Sequence, residues 1–508
     1  MEVPLAPSAQ QPTAQQGRPS LLRGSLNLRR LLFIGLAYFA LAPVIYLNMG
    51  FMETDSNGPV MPFLFILITL AVLPTAISFA VMNNRRPSAG SGYTWLWEST
   101  APTVGLWSGW IMMTTYVLVT ALYPAAFGVF FNALLSYAGV TPTTLTGVCA
   151  GVAAILIIGG LNHNRIRFSS LLIGILLTIE ASFVVALALT IVVKGGTLGH
   201  FSGTPFNPTA AKAGFSGLSL AAIFAFLSIA GVDSVAPVAE ESNTPKRLIP
   251  LATILITLIA GVFWTLTSYG FAISVPVSQV QHYVNQGEIT PVLPIAKQFV
   301  GGWAVLVPIT GFTAALASFG ASLYAAGRLT YAVSREGFIW RYFSKLHPRF
   351  STPWRAEVAT LVISLAFLIG ISYWQGGVLT AYAYIGEMFV FFVLVTYLLV
   401  NLANIVYHVR YARSQFNWFL NGVAPVLGIG IDAYILYKSF FATEISLPFK
   451  TGSSIVWFSL AWAVIGVIWA VWWRSRRQLS SISLTGATAE IDEAAGPATP
   501  AGSEAHAV

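Results

Sequence analysis

Twelve long apolar stretches limit what this chain can fold into more than any other feature of its sequence. A helix that crosses the hydrocarbon core of a bilayer needs about 20 predominantly apolar residues. The alternating strands of about ten residues that build an outer-membrane barrel do not occur. The sequence therefore predicts an all-α integral membrane protein with twelve transmembrane helices, near residues 30–51, 60–83, 103–136, 142–161, 167–194, 216–238, 248–273, 296–326, 356–374, 378–407, 418–441 and 453–473.

The distribution of charge supports this membrane topology. Only 9% of the residues are charged, whereas soluble domains carry about 25%. With twelve spans, all but five of the 26 Lys and Arg residues fall on one side of the membrane, which argues against a nucleic-acid partner. By the positive-inside rule, we expect both termini in the cytoplasm and the protein in the plasma membrane. The five exceptions are Lys194, Lys212, Lys297, Lys438 and Lys450.

The chain is expected to form one membrane domain, residues 25–478, between two disordered cytoplasmic tails, residues 1–24 and 479–508. Both tails are of low complexity and rich in Ala, Gly, Ser and Pro. The single cysteine, Cys149, excludes a disulfide framework within the chain. No cofactor and no enzymatic activity are expected, because the sequence offers no metal-ligand cluster, phosphate loop or nucleophile–base pair.

The sixth apolar stretch is interrupted at membrane depth. It reads FLSIAGVDSVAPVAEESNTPKRLIP over residues 226–250, with Gly231 at the interruption and Asp233 beside it. A helix can break within the hydrocarbon region only where protein or a cavity satisfies the freed backbone, and an intramembrane acid there indicates a functional site. The first stretch contains Pro43, which removes a helical hydrogen bond. Each residue alone also fits an ordinary membrane-helix kink.

Paired interruptions in two halves of a chain point to the binding site of an inverted-repeat transporter. We therefore expect the first and sixth spans to be unwound near Ala40–Pro43 and Ala230–Asp233, and to face each other across a central cavity. The residues predicted to bind substrate are Ala40, Ala42, Pro43, Phe226, Ala230, Gly231 and Asp233.

Several charged residues are candidates for coupling and gating. Glu180 lies midway along the fifth span with no basic residue in that span, so it can gain or lose a proton as a cavity opens. A protonated glutamate bonded between helices is the structural alternative. Asp432 is expected to pair with Lys438. A cytoplasmic gate is expected to form weak ion pairs of about 0–1 kcal/mol each, from Glu240, Glu241, Lys246, Arg247, Arg328 and Arg335.

Four stretches resemble the amino acid–polyamine–organocation permease superfamily, and the resemblance covers essentially all twelve spans. They are GVDSVAPVAEESNTPKRLIP, PSAGSGYTW, RLTYAVSREGFIWRYFSKLHPRFSTPWRA and GLAYFALAP. The resemblance implies a leucine-transporter-type fold, in which a five-plus-five inverted repeat is followed by two accessory helices. It also implies secondary transport, by alternating access, of amino acids or small organic amines. Because family members place an acid at the position of Asp233 that takes part in proton-linked gating, proton coupling is expected.

The first span departs from the family pattern. Many members break this helix at Gly-x-Gly, where backbone N–H groups hold a substrate carboxylate, but here the stretch is FALAP, residues 39–43. A half-helix N-terminus still attracts an anion, although proline reduces the number of donors. An amine without a carboxylate is therefore an alternative substrate. An exchanger of the same fold, and a sensor built on a transporter fold, are alternative functions, while substrate, coupling ion and oligomeric state stay open.

Overall fold

The computed structural model describes residues 24–163, 170–286, 290–348, 352–442 and 454–476. Nearly all of both expected tails, together with Arg165 and Arg167, lies outside these residues. The first eight helices are α1 (Leu28–Tyr38), α2 (Leu41–Ser56), α3 (Met61–Arg85), α4 (Gly92–Ser99), α5 (Pro102–Tyr137), α6 (Thr144–His163), α7 (Ser170–Lys194) and α8 (Gly214–Ile229). The remainder are α9 (Pro245–Ser274), α10 (Val277–Asn285), α11 (Val292–Val300), α12 (Leu306–Arg335), α13 (Trp354–Gln375), α14 (Val378–Arg410), α15 (Ala424–Tyr437) and α16 (Ser454–Arg476).

The helices confirm the predicted all-α membrane architecture. Within the described residues, eleven helical segments are long and apolar enough to cross a membrane. The predicted sixth span is the exception: α8 ends after 16 residues, and the chain resumes as a short 3-10 helix, Ala236–Glu241. The predicted eighth span also differs in detail, because the short helix α11 precedes the long helix α12.

Helices that are equivalent in a five-plus-five repeat pack against each other. The second and seventh spans, α3 and α9, lie together, as do the third and eighth, α5 and α12. The fourth and ninth spans, α6 and α13, are also in contact, and α2 of the first span packs along α8 of the sixth. α1 and α2 pack against α7, α9 and α12, and α8 packs against α3 and α14. The two interrupted spans are therefore surrounded by other helices.

The accessory helices α15 and α16 pack on the outside of this arrangement, α15 against α3 and α14, and α16 against α5 and α14. Asp432 of α15 is fully buried, and its carboxylate accepts hydrogen bonds from Thr75 and Asn401. The expected pair between Asp432 and Lys438 is wrong, because one oxygen of Asp432 is bonded to these two residues and the other has no partner among the described residues. The Lys438 ammonium lies 5.9 Å from the centre of the Phe215 ring.

Candidate functional site at two helix interruptions

The first interruption is a single left-handed residue between two helices. α1 ends at Tyr38, and Ala40 adopts φ 53° and ψ 66° before α2 begins at Leu41. This conformation is costly for a residue with a Cβ atom, at about 1–3 kcal/mol. Pro43 lies in the first turn of α2, beyond the break itself. An N–H group has no helical partner in a first turn, so proline is tolerated there.

The second interruption is placed directly against the first. Gly231 follows the end of α8 with φ 142°, a conformation that residues with side chains rarely adopt. A Cβ atom at Gly231 would lie 2.7 Å from the Tyr38 ring and 3.2 Å from the Phe39 ring. Only glycine therefore allows the two breaks to approach this closely.

Asp233 is held by two tyrosines at the second interruption. Its side chain is 1% exposed, and Oδ2 accepts a 2.6 Å hydrogen bond from the Tyr116 hydroxyl. The Tyr397 hydroxyl lies 3.5 Å from Oδ1 and accepts the backbone N–H groups of Gly231 at 2.9 Å and Val232 at 3.2 Å. Among the described residues no cation pairs with Asp233, and the side-chain donors to its carboxyl group are two phenol hydroxyl groups.

Glu180 lies on α7, which packs against α1 and α2, the two halves of the first interrupted span. It is 1% exposed, and its Oε2 atom has no hydrogen-bond partner among the described residues. Tyr46 and Tyr123 are within electrostatic range of its carboxyl group. The Tyr123 hydroxyl donates to the carbonyl of Tyr38, at the end of α1. Tyrosines therefore connect the region of Glu180 to the helix break.

The structure buries all of the predicted substrate-binding residues: Ala40, Ala42, Pro43, Phe226, Ala230, Gly231 and Asp233. This conformation is therefore closed around the interruptions. Phe226 packs edge-on against the Tyr397 ring, with centroids 6.1 Å apart, so it supports the tyrosine that caps the break.

Sequence reasoning missed four aromatic residues that shape the site: Tyr38, Tyr123, Trp264 and Tyr397. The Trp264 indole donates to the carbonyl of Leu41 at 3.1 Å. The sequence could have revealed Tyr397. It belongs to a row of polar residues on one face of the otherwise apolar helix α14, at positions 397, 401, 404 and 408.

A buried ion cluster lies on the basic-residue side of the interruptions. Arg328 of α12 is 3% exposed, and its Nε atom is 2.6 Å from Glu241 Oε1. The same guanidinium lies 3.5 Å from Glu357 of α13 and 3.1 Å from the centre of the Tyr324 ring, and the Tyr324 hydroxyl donates to Glu241. The expectation of weak, solvated pairs is wrong for Arg328, because losing one partner of a buried pair costs about 3–5 kcal/mol.

Glu240 forms a second, more exposed pair. Arg335 approaches both of its carboxylate oxygens, at 3.3 and 3.4 Å, and Glu240 also accepts the backbone N–H of Ala89 at 3.2 Å. Arg247 is exposed, and the structure records no ion pair for it with any described residue. The carboxylates of Glu240 and Glu241, both predicted to form the gate, thus pair with different arginines, and Arg247 pairs with neither.

The fold and the paired interruptions define an integral membrane transporter with an inverted repeat. The family model described as "Amino acid permease" matches residues 26–472, and the chain belongs to this family. It is a multi-pass membrane protein and a secondary transporter of amino acids or amines.

Three relatives illustrate the range of the family. The methylthioribose transporter of Bacillus subtilis (strain 168) is 24% identical, over 84% of this chain and 88% of the relative. The low-affinity putrescine importer PlaP of Escherichia coli (strain K12) is 25% identical, over 72% of this chain and 80% of the relative. The branched-chain amino acid permease BcaP of Bacillus subtilis (strain 168) is 26% identical, over 59% of this chain and 65% of the relative.

Proposed function

We propose that this protein carries a small organic amine or an amino acid across the plasma membrane, with both termini in the cytoplasm, and that protonation of Glu180 and Asp233 couples transport to a proton gradient. The observation that carries the proposal is the burial of both carboxyl groups near the paired interruptions, Asp233 within the second one and Glu180 on α7, which packs against both halves of the first span. A carboxylate at membrane depth is stable only when it is paired, hydrated or protonated. Opening the site to either side therefore changes the protonation of both groups.

Features of the site support a substrate with an amino group. Tyr38 and Tyr116 form an edge-to-face pair with centroids 6.1 Å apart beside Asp233. Aromatic faces and a carboxylate both attract an ammonium group. At the start of α2, the N–H groups of Leu41 and Ala42 have no hydrogen-bond partner among the described residues. These two donors can bind a carboxylate through the helix N-terminus, and Pro43 supplies no third donor.

The names of the relatives define the compounds to test. Putrescine is an amine, branched-chain amino acids carry both an amine and a carboxylate, and methylthioribose carries neither. Counterflow in proteoliposomes containing the purified protein, with putrescine, lysine, leucine and methylthioribose, will identify the class. The proposal expects exchange of an amine or an amino acid, and exchange of methylthioribose alone would overturn it.

The coupling is tested with two variants that keep side-chain size and remove titration. Glu180→Gln and Asp233→Asn are each expected to weaken uptake driven by an inside-alkaline pH gradient and to flatten its pH dependence. Thr178→Val is the matched control on α7, because among the described residues the Thr178 hydroxyl bonds to the carbonyl of Gly174 within its own helix. If both carboxyl variants retain wild-type uptake and pH dependence, coupling through these residues is wrong.

A split result is also informative. If only Asp233→Asn affects transport, and it lowers substrate affinity without changing the pH profile, Asp233 is a direct ligand of the substrate amine. Wild-type exchange that proceeds without any response to the pH gradient would favour the exchanger over the proton-coupled importer.

A further inference from the structure

A buried polar seam runs along α14 from the second interruption to the end of the protein that carries Arg410. Four residues of α14 form it, Tyr397, Asn401, Asn404 and His408, and all four are fully buried. Their spacing of four, three and four residues places them on one helix face. This face is covered by α3 and α15, so the seam is enclosed within the protein.

The middle of the seam is a carboxyl group with neutral neighbours. Asp432 Oδ2 accepts hydrogen bonds from the Thr75 hydroxyl at 2.8 Å and from the Asn401 amide at 3.1 Å. Its Oδ1 atom is buried and has no partner among the described residues, and neither does the Oδ1 atom of Asn401. An ionised Asp432 therefore has one unsolvated oxygen. A protonated Asp432 can instead donate to the Thr75 hydroxyl, 2.8 Å away. In the ionised state, a water molecule beside Oδ1 would satisfy the second oxygen.

The far end of the seam is a second hydrogen-bonded group. The side-chain amide of Asn404 donates to the Ser78 hydroxyl at 3.2 Å. The side-chain oxygen of Asn404 accepts from the Asn421 amide at 2.9 Å. The backbone carbonyl of Asn404 lies 2.9 Å from His408 Nδ1, whereas His408 Nε2 is buried without a partner among the described residues. Histidine is the side chain suited to exchanging protons near neutral pH.

The seam connects to the candidate site at its inner end. The Tyr397 hydroxyl is 3.5 Å from Asp233 Oδ1, and Tyr397 is within electrostatic range of Asp432. Tyr397 and Asn401 are four residues apart on α14, and Asn401 and Asn404 are three residues apart. Neighbouring side chains at these spacings are about 5–6 Å apart, a gap that one water molecule can bridge.

From this arrangement we infer that the seam is a proton path between Asp233 and the cytoplasm, with Asp432 and His408 as proton carriers and the asparagines as ligands for bridging water. The Tyr397 oxygen receives the proton released by Asp233 as the Tyr397 hydroxyl gives up its own proton, through bridging water, to Asp432. The proton then passes to His408 and to solvent, and each carrier returns to its starting state. The inference rests on the proposed proton coupling and adds the route by which the proton leaves.

Within the described part of the chain, few other charged or titratable groups border the seam. On α3, Arg85 is within electrostatic range of His408 and hydrogen-bonds to Gln415, and on α14 the Tyr407 ring packs against His408. Directly after α15, the ammonium of Lys438 lies 5.9 Å from the centre of the Phe215 ring. The alternative role for buried polar groups in a membrane protein is to hold helices together, with no movement of protons.

Two transport assays distinguish these roles. Counterflow requires no net proton movement, whereas uptake driven by an inside-alkaline pH gradient does. The purified full-length protein carrying Asp432→Asn or His408→Gln is reconstituted with radiolabelled putrescine or leucine, as selected by wild-type counterflow. We expect gradient-driven uptake to fall by about 100-fold, as for loss of a positioned proton-transfer group, while counterflow is retained.

Thr396→Val is the control, because Thr396 is buried on α14 outside the seam and donates to the carbonyl of Phe392. It should change neither assay. Two results overturn the proton path: wild-type gradient-driven uptake in both seam variants, or an equal loss of uptake and counterflow, which indicates a structural role. If uptake by the wild-type protein itself ignores the pH gradient, the proposed coupling fails and the path fails with it.

Discussion

The hydroxyl of Tyr116 donates a 2.6 Å hydrogen bond to Oδ2 of Asp233, across the space between α5 and the broken sixth span. Hydrogen bonds to charged groups contribute about 1.5–3 kcal/mol. Asp233 has no cationic partner among the described residues. The bond from Tyr116 is shorter than the 3.5 Å contact from Tyr397, so it contributes most to holding the carboxylate. Tyr116 thereby couples the position of α5 to the state of the interruption.

Replacing Tyr116 by phenylalanine should lower transport strongly while leaving the fold intact. The expected loss is about tenfold or more in initial uptake, which corresponds to at least ~1.4 kcal/mol. Uptake and counterflow rates measure it. Tyr93→Phe is the control, because the Tyr93 hydroxyl is buried with no hydrogen-bond partner among the described residues. Equal activity of the two variants would show that the bond to Asp233 is unimportant.

Adding a methyl group at Gly231 should destabilise the protein. The Gly231→Ala side chain would lie 2.7 Å from the Tyr38 ring, and the residue would keep a strained positive φ. Backbone strain of this kind costs about 1–3 kcal/mol, so thermal unfolding in detergent should occur at a lower temperature. Gly430→Ala, which has open space around its Cβ position, should unfold like the wild type. An unchanged unfolding temperature for Gly231→Ala would contradict the close approach of the two breaks.

Removal of Arg328 should open the site toward the basic-residue side. Arg328→Gln leaves the buried carboxylates of Glu241 and Glu357 without their cation, which penalises the closed state. The measurement is labelling of a cysteine introduced at the buried position Ser234, in a Cys149→Ala background, by a membrane-impermeant thiol reagent. We expect faster labelling than in the parent.

Arg86→Gln provides the comparison for the Arg328 variant. Arg86 pairs with Glu98 at 3.1 Å, but its side chain is 32% exposed. Exposed pairs contribute about 0–1 kcal/mol, so this variant should label like the parent. Slow labelling of Ser234→Cys in the Arg328 variant would mean that the cluster does not hold the gate closed.

The proposed orientation can be tested by labelling from each side of the membrane. In the Cys149→Ala background, a cysteine at the exposed Arg413 should react only from the cytoplasmic side, and one at the exposed Phe201 only from outside. The prediction follows from the positive-inside rule. Reaction of both positions from the same side would disprove the twelve-span topology.

The sequence by itself determined the architecture of this protein and the location of its interruptions. Apolar length specifies membrane spans because hydrocarbon cannot satisfy backbone polar groups. Gly231 beside Asp233 therefore marked the broken sixth span without any knowledge of its neighbours. For the first span the sequence indicated a range, Ala40–Pro43, and the structure places the left-handed residue at Ala40, the start of that range.

Only the tertiary structure decided which side chains meet at the interruptions. Tyr116 and Tyr397 reach Asp233 from helices that are 117 and 164 residues away in the chain. Asp432 likewise bonds to Thr75 and Asn401 instead of the nearby Lys438. Local sequence specifies helices through short-range hydrogen bonds and apolar length, but the partner of a buried polar group depends on which helix faces pack together. Long-range packing determines those faces, and the pattern within one span does not encode it.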